Sequence, residues 1–377
     1  MLDKSKDTVL VVVQLSGGND YLNCVIPYTN PLYRDYRPNI GIPLDRVLRL
    51  DEQYGLNPGM GPIKKLYDQG KIAIIHGVGY SNPNRSHFRS MDIWHTCEPD
   101  KIASEGWLGK AIREMDPGKD NVLTGVNFGR GLPRALACAG VPVASVGNLE
   151  TYGLLKGISA KIQREEALMT FSRMYTPAVG SGWVMDYLKK TGADALRGAD
   201  ILSTAPKKYS SSVEYAFNPI AQQLKGVAQV LFAGFGTRVL YTQHGGFDTH
   251  ANEVPIQEKL WNEVSSAIYD FYQDLDEHNV TDNVVILVFS EFGRRVRDNG
   301  TGTDHGIGGV SFLIGDRVKG GMYSEYPSLD PSKLLEDDLA FTIDFRGIYS
   351  EILEEWMNLD ANSIVGGTFE KPGIISV

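Results

Sequence analysis

The chain predicts an α/β fold, an αβα three-layer sandwich around a mainly parallel sheet, and three observations carry that expectation. Short β-branched apolar runs alternate with helical stretches along most of the 377 residues, as in sheets built from strand–helix–strand crossovers. The runs are almost continuously apolar, the pattern of strands covered on both faces. Polar clusters follow directly on several of them, where open parallel sheets gather their ligands.

The strands are expected, in order, at 8–15 (TVLVVVQL), 71–78 (KIAIIHGV), 237–243 (TRVLYTQ), 283–289 (NVVILVF) and 309–315 (GVSFLIG). Beyond the third run, Ile256, Leu260, Val264, Ile268, Phe271 and Leu275 step by three or four and form one apolar stripe. That spacing predicts a helix packed on the sheet. Residues 147–215 are more polar and mostly helical in pattern, and are read as an insertion or cap inside a single domain spanning 1–377.

Composition narrows the function classes. With 42% hydrophobic and 22% charged residues, the chain reads as a soluble globular protein long enough to bury a large core. Its 46 acidic and 37 basic residues give a net charge of −9, which repels a phosphate backbone and argues against nucleic acid as a partner. No apolar run approaches the roughly 18 residues of a membrane-spanning helix. Cys24, Cys97 and Cys138 lie far apart in no CxxC pair, so neither a disulfide framework nor a thiolate zinc site is expected. Met1 to Asp7 is too short and polar for a leader. The chain is therefore expected to be periplasmic or secreted if a leader has been trimmed, and cytoplasmic otherwise. Its oligomeric state is left open.

Five polar clusters carry the candidate chemistry: SGGND (16–20), YSNPNRSHF (80–88), QHGGFDTH (243–250), SEFGRR (290–295) and GTDHG (302–306). Five of the seven histidines, His76, His87, His244, His250 and His305, fall in or beside them. Asp248 and His250 are two apart, so in an extended loop both reach one ion, and oxygen with imidazole suits zinc, manganese or iron better than calcium. The plainer alternative is an aspartate capping the next helix. Asp304 and His305 are neighbours that point apart, so one can be a metal ligand while the other fixes a loop or an adjacent arginine; both are metal candidates, with His305 the favoured ligand. Glu291 and Asp20 each follow a strand. Their alternatives are a surface pair with Arg294 or Arg295 and an ordinary turn aspartate.

Ser86, just before the helical stretch HFRSMDIW, is the expected nucleophile, with a plain N-cap as its alternative. Ser81 is its rival. Arg85 and Arg89 could bind the anionic part of a substrate, because a guanidinium matches phosphate or sulfate oxygens. The chain has no GxGxxG after its first strand, no GxxxxGK[ST], no HExxH and no GxSxG.

The ordered series GGND (17–20), NRSHF (84–88), GWLG (106–109), GGFDTH (245–250), SEFGR (290–294), GTDHG (302–306) and VKGG (318–321) closely resembles domain-of-unknown-function family 1501, which is grouped with the alkaline phosphatase and sulfatase superfamily. The resemblance implies an αβα sandwich with a metal centre at the carboxyl ends of the strands. It implies Asp20 as the first aspartate, Ser86 as nucleophile, Asp248, His250 and His305 as ligands, and Glu291 as the late carboxylate. Two departures stand out. Phe292 follows Glu291 where superfamily phosphatases usually carry a histidine, and Ser81-x-Pro-x-Arg85 matches only the short form of the sulfatase signature.

The expectation is a metal-dependent hydrolase of small phosphate or sulfate esters. Its divalent ion would be zinc first, with manganese, magnesium or calcium as alternatives, and a second ion could sit at Asp20 and Glu291. The competing expectation is a binding or scaffold protein that keeps the fold without the chemistry.

Overall fold

The computed structural model describes residues 8–147 and 197–376, with Leu149 and a few isolated positions between 163 and 194. The insertion expected at 147–215 therefore lies largely outside the described residues.

Val9–Ser16 (β1) runs through the middle of the main sheet, whose further strands are Ile72–Gly79 (β2), Gly125–Phe128 (β3), Ala144–Val146 (β4), Val239–Gly245 (β5), Val284–Ser290 (β6), Gly309–Ile314 (β7), Gly321–Tyr323 (β8) and Ile343–Asp344 (β9). Among the described residues the order is β8-β2-β7-β6-β1-β5-β3-β4, with β9 also paired to β2. All five expected strands are present within two residues of their expected ends. Four short strands, β3, β4, β8 and β9, were not foreseen, because two to four residues are too few to form a visible run.

The pairings are parallel except those of β7, which runs antiparallel to both β2 and β6. That reversal matters for function. The GTDHG cluster precedes β7, and only an antiparallel strand starts at the edge where the parallel strands end.

The unbroken apolar run of β1 has the cause the sequence suggested. Val9, Val11 and Val13 enter one core and Leu10 and Val12 the other, since successive side chains point to opposite faces. On the first face lie Pro219–Phe232 (α3) and the long helix Glu253–Glu277 (α4), through Leu224, Val227, Trp261, Ile268 and Phe271. On the second lie His87–Thr96 (α1), Trp107–Met115 (α2) and Phe345–Glu351 (α5), through Trp94, Trp107 and Tyr349. Trp94 stacks on Phe289 at 5.0 Å and on Phe345 at 4.5 Å, which ties α1 to the end of β6. Each fully buried large apolar side chain contributes about 1.5–3 kcal/mol, so the edge beyond these strands stands on a rigid base. No described helix is long and apolar enough to cross a membrane.

Candidate metal centre

Glycines let the loops beyond the strands close on one another. A Cβ on Gly17, whose φ is +123°, would stand 2.3 Å from the Asp248 amide nitrogen, and one on Gly302 would stand 2.4 Å from the His250 carbonyl carbon. Any side chain at either place would push the loops after β1, β5 and β6 apart. The first turn of α1 is pinned to the same edge by Ser90, whose Oγ donates to the Glu291 carbonyl at 2.6 Å.

Three imidazoles meet one carboxylate oxygen there. Asp248 Oδ1 lies 3.0 Å from His250 Nε2, 3.1 Å from His305 Nε2 and 3.4 Å from His87 Nε2. The opposite ring nitrogens are each held by an acceptor. His250 Nδ1 is 2.9 Å from Asp304 Oδ1, His305 Nδ1 is 2.8 Å from the Arg85 carbonyl, and His87 Nδ1 is 2.8 Å from Glu291 Oε1. A carbonyl can only accept, and so can an ionised carboxylate, so these partners favour a proton on each Nδ1, while each Nε2 faces Asp248 Oδ1 and can meet it with a second proton or through a shared cation. Nε2 of His250 and of His305 are 3.1 Å apart, and His87 Nε2 is buried with no hydrogen-bond partner among the described residues. Nitrogens that converge on a carboxylate in this way are favoured by positive charge, supplied by protons, by Arg294 or by a bound cation. The ligand atoms of His87, Asp248 and His305 all lie within 4.8 Å of one another, close enough for one ion.

Asp248 is 45% exposed and is held from its inner side by the buried Arg294, whose Nη2 donates to Oδ1 at 2.8 Å. Partial burial pushes the Asp248 carboxyl up, but the Arg294 charge and the bonds from Arg294 and His305 outweigh it and keep the group below its ordinary range. The hydrogen bond to Glu291 raises the His87 imidazole above its ordinary value, against a smaller opposing effect of burial.

The other expected residues fall as follows. Glu291 is buried, and its oxygens accept from His87, from the Gly17 amide at 2.9 Å and from Ser290 Oγ at 3.0 Å. It holds the His87 ring from behind. Asp304 does the same for His250. Asp20 turns to Arg37, which grips both its oxygens at 2.7 and 2.9 Å with the pair sealed from solvent. A guanidinium thus occupies the place expected for a second cation. Arg85 binds Asp338 and Glu336, and Arg89 binds Asp92 and the carbonyls of Glu98, Pro99 and Lys101. Both guanidinium groups are committed to protein acceptors, and Arg85 serves the cluster through its backbone carbonyl. Ser86 is exposed at the N-cap of α1, its side chain making no capping bond. Ser81 is exposed, and no bond joins it to the cluster among the described residues.

His87 was not foreseen in this cluster. It stood in the NRSHF motif as the residue after the expected nucleophile. The available signal was its position at a helix start beside two loops already rich in acids and histidine. His244, 3.1 Å from Glu263, and His76, 2.9 Å from the Tyr21 hydroxyl, lie apart from the cluster.

The fold and this edge define a mixed, mainly parallel α/β sandwich with a histidine–carboxylate cluster where the strands end. The model of the family described as protein of unknown function (DUF1501) matches residues 202–363. That stretch carries Asp248, His250, Glu291, Asp304 and His305, while Asp20 and His87 lie before it, and the match is to the family that the motifs resemble. No curated protein matches. By structure the chain is similar to the C-terminal periplasmic domain of EcEptC from Escherichia coli in complex with Zn (9% identity, 98% of this chain and 85% of that one, TM-score 0.41). It is also similar to a protein in the alkaline phosphatase superfamily from Vibrio parahaemolyticus (9%, 98% and 68%, 0.41) and to the PsFucS1 sulfatase from Pseudoalteromonas sp. (11%, 97% and 68%, 0.39). Nothing about reaction or ligand passes from such distant likenesses to this chain.

Proposed function

We propose that the protein is a metal-dependent hydrolase of phosphate or sulfate esters that works with one divalent cation, held by His87, Asp248, His250 and His305. The observation that carries this reading is the convergence of three Nε2 atoms on Asp248 Oδ1, each ring anchored from behind at Nδ1. The residues fit such an ion, since carboxylate or carbonyl partners behind ligating histidines fix ring and tautomer. Three imidazoles and a carboxylate suit zinc, or manganese after it, better than magnesium or calcium, which take oxygen ligands.

A bound cation would supply a Lewis acid that polarises an ester oxygen. The chain's own residues do the rest. Arg294 fixes the Asp248 carboxylate and offsets its charge. Ser86, one residue from His87 and free of a capping bond, is the nucleophile, and the amides of the first turn of α1 favour the anionic group beside it. Asp20 needs no second ion, because Arg37 already neutralises it.

The engagement of Arg85 and Arg89 favours a second reading, a metal-binding protein without turnover, since neither arginine is free to take up a sulfuryl or phosphoryl group. Hydrolysis of p-nitrophenyl phosphate and p-nitrophenyl sulfate by protein purified without chelator separates the two. His305→Ala should lower the rate at least about 100-fold, as expected for the loss of a group that stabilises developing charge. Equal rates in the variant and the parent would refute the assignment. Bound metal with no turnover of either ester would favour the second reading.

A further inference from the structure

A cavity of about 610 Å³ adjoins the cluster, and His87 and Glu291 line it as well as the histidine centre. Its size is within the range of pockets that hold one small organic molecule. Apolar side chains form much of its wall: Phe88 and Ile102 are left 91% and 80% exposed, and Met91 lies beside them. Phe88 and Ile102 are among the few large apolar side chains left exposed on the described residues, and both stand at this one cavity.

The charged residues of the cavity are already paired. Arg89 and Arg134 both bind Asp92, at 2.6 Å each, and each also donates to backbone carbonyls. On the buried floor Glu291 is paired with His87 at 2.8 Å, and the rest is uncharged, with His95 Nε2 2.8 Å from Gln14 Oε1 and Gln14 Nε2 donating to Ser16 Oγ at 2.7 Å. The cavity thus offers apolar surface and satisfied dipoles next to a centre suited to an anionic ester group.

We propose that this cavity is the subsite for the organic part of the substrate, and that it selects an uncharged, bulky group, aromatic above all, over a small hydrophilic one. The ring of Phe88 supplies a face or edge for an aromatic partner. The inference rests on the ester-hydrolase reading for its substrate but not for its binding surface, so the two can fail separately.

The test compares kcat/KM for 4-methylumbelliferyl phosphate and glycerol 2-phosphate in the parent, Ile102→Ser and Phe88→Ala, and measures binding of 4-methylumbelliferone by fluorescence. Both substituted side chains are exposed, so the variants should fold. The parent should prefer the aryl ester, and each variant should lower that preference about tenfold, the scale of a lost apolar contact in a specificity pocket. Umbelliferone binding should weaken in parallel. If no ester is hydrolysed but umbelliferone binds and both substitutions weaken it, the subsite stands and the hydrolase reading falls. If both esters are hydrolysed with a ratio that neither substitution moves, or if umbelliferone does not bind the parent, the subsite is overturned.

Discussion

Two carboxylates near the same edge of the sheet have opposite surroundings. Asp20, after β1, is sealed from solvent and gripped by Arg37, with Glu253 and Thr303 beside it. Asp248, after β5, is half-open and faces three imidazoles, with one arginine behind it. Burial pushes the Asp20 carboxyl up, but Arg37 prevails and holds it below its ordinary range, and Glu253 is pushed up to about 9 by burial and by Asp20. The sealed site therefore closes its charge balance within the protein. The open site leaves ring nitrogens around Asp248 that a cation can join. Both carboxylates meet a guanidinium; the difference is that Arg37 takes both oxygens of Asp20 in a sealed pair, whereas Arg294 takes only Oδ1 of Asp248 and leaves it open to three imidazoles.

The comparison can be broken most severely at Arg37. Arg37→Ala strips the partner from a buried carboxylate, and losing one member of a buried pair costs about 3–5 kcal/mol. Urea unfolding should show a loss of that size, and a variant as stable as the parent would mean the pair is not the closed unit described here.

Glu253 sharpens the same point through pH. Burial and Asp20 push its carboxyl up to about 9, above the ordinary carboxylate range, so the native state binds more protons across that window and stability falls as pH rises through it. The slope is at most about 1.4 kcal/mol per pH unit. Glu253→Gln should flatten this decline, becoming more stable than the parent towards pH 9 and not near pH 5. Parallel stability curves would count against a protonated Glu253.

The smallest effect belongs to the acceptor behind the open site. Asp304→Asn keeps the shape but weakens the hold on His250 Nδ1, and such changes typically lower metal affinity about 10- to 100-fold. Competition with a chelator measures this directly, and an unchanged affinity would remove His250 from the ligand set.

Much of the fold was legible because its strands are buried on both faces and so read as unbroken apolar runs. The reversal of β7 was not, since an apolar run carries no direction. Yet that reversal explains why GTDHG, a cluster before a strand, joins clusters that follow strands. At the site, Asp248, His250 and His305 were legible from paired spacing between glycines. His87 was not, because its role depends on Glu291 reaching it across 204 positions in the chain. Arg37 was invisible for a related reason: only the folded chain turns that arginine inward onto Asp20.

The central claim is that this edge holds one cation at the histidine–Asp248 cluster and none at Asp20. Metal content per chain, measured on protein purified without chelator and then loaded with zinc, tests it most directly. The account predicts one ion per chain in the parent, none in a His87→Ala, His305→Ala double variant, and one still in Asp20→Asn. Two ions in the parent, or one ion retained by the double variant, would contradict it.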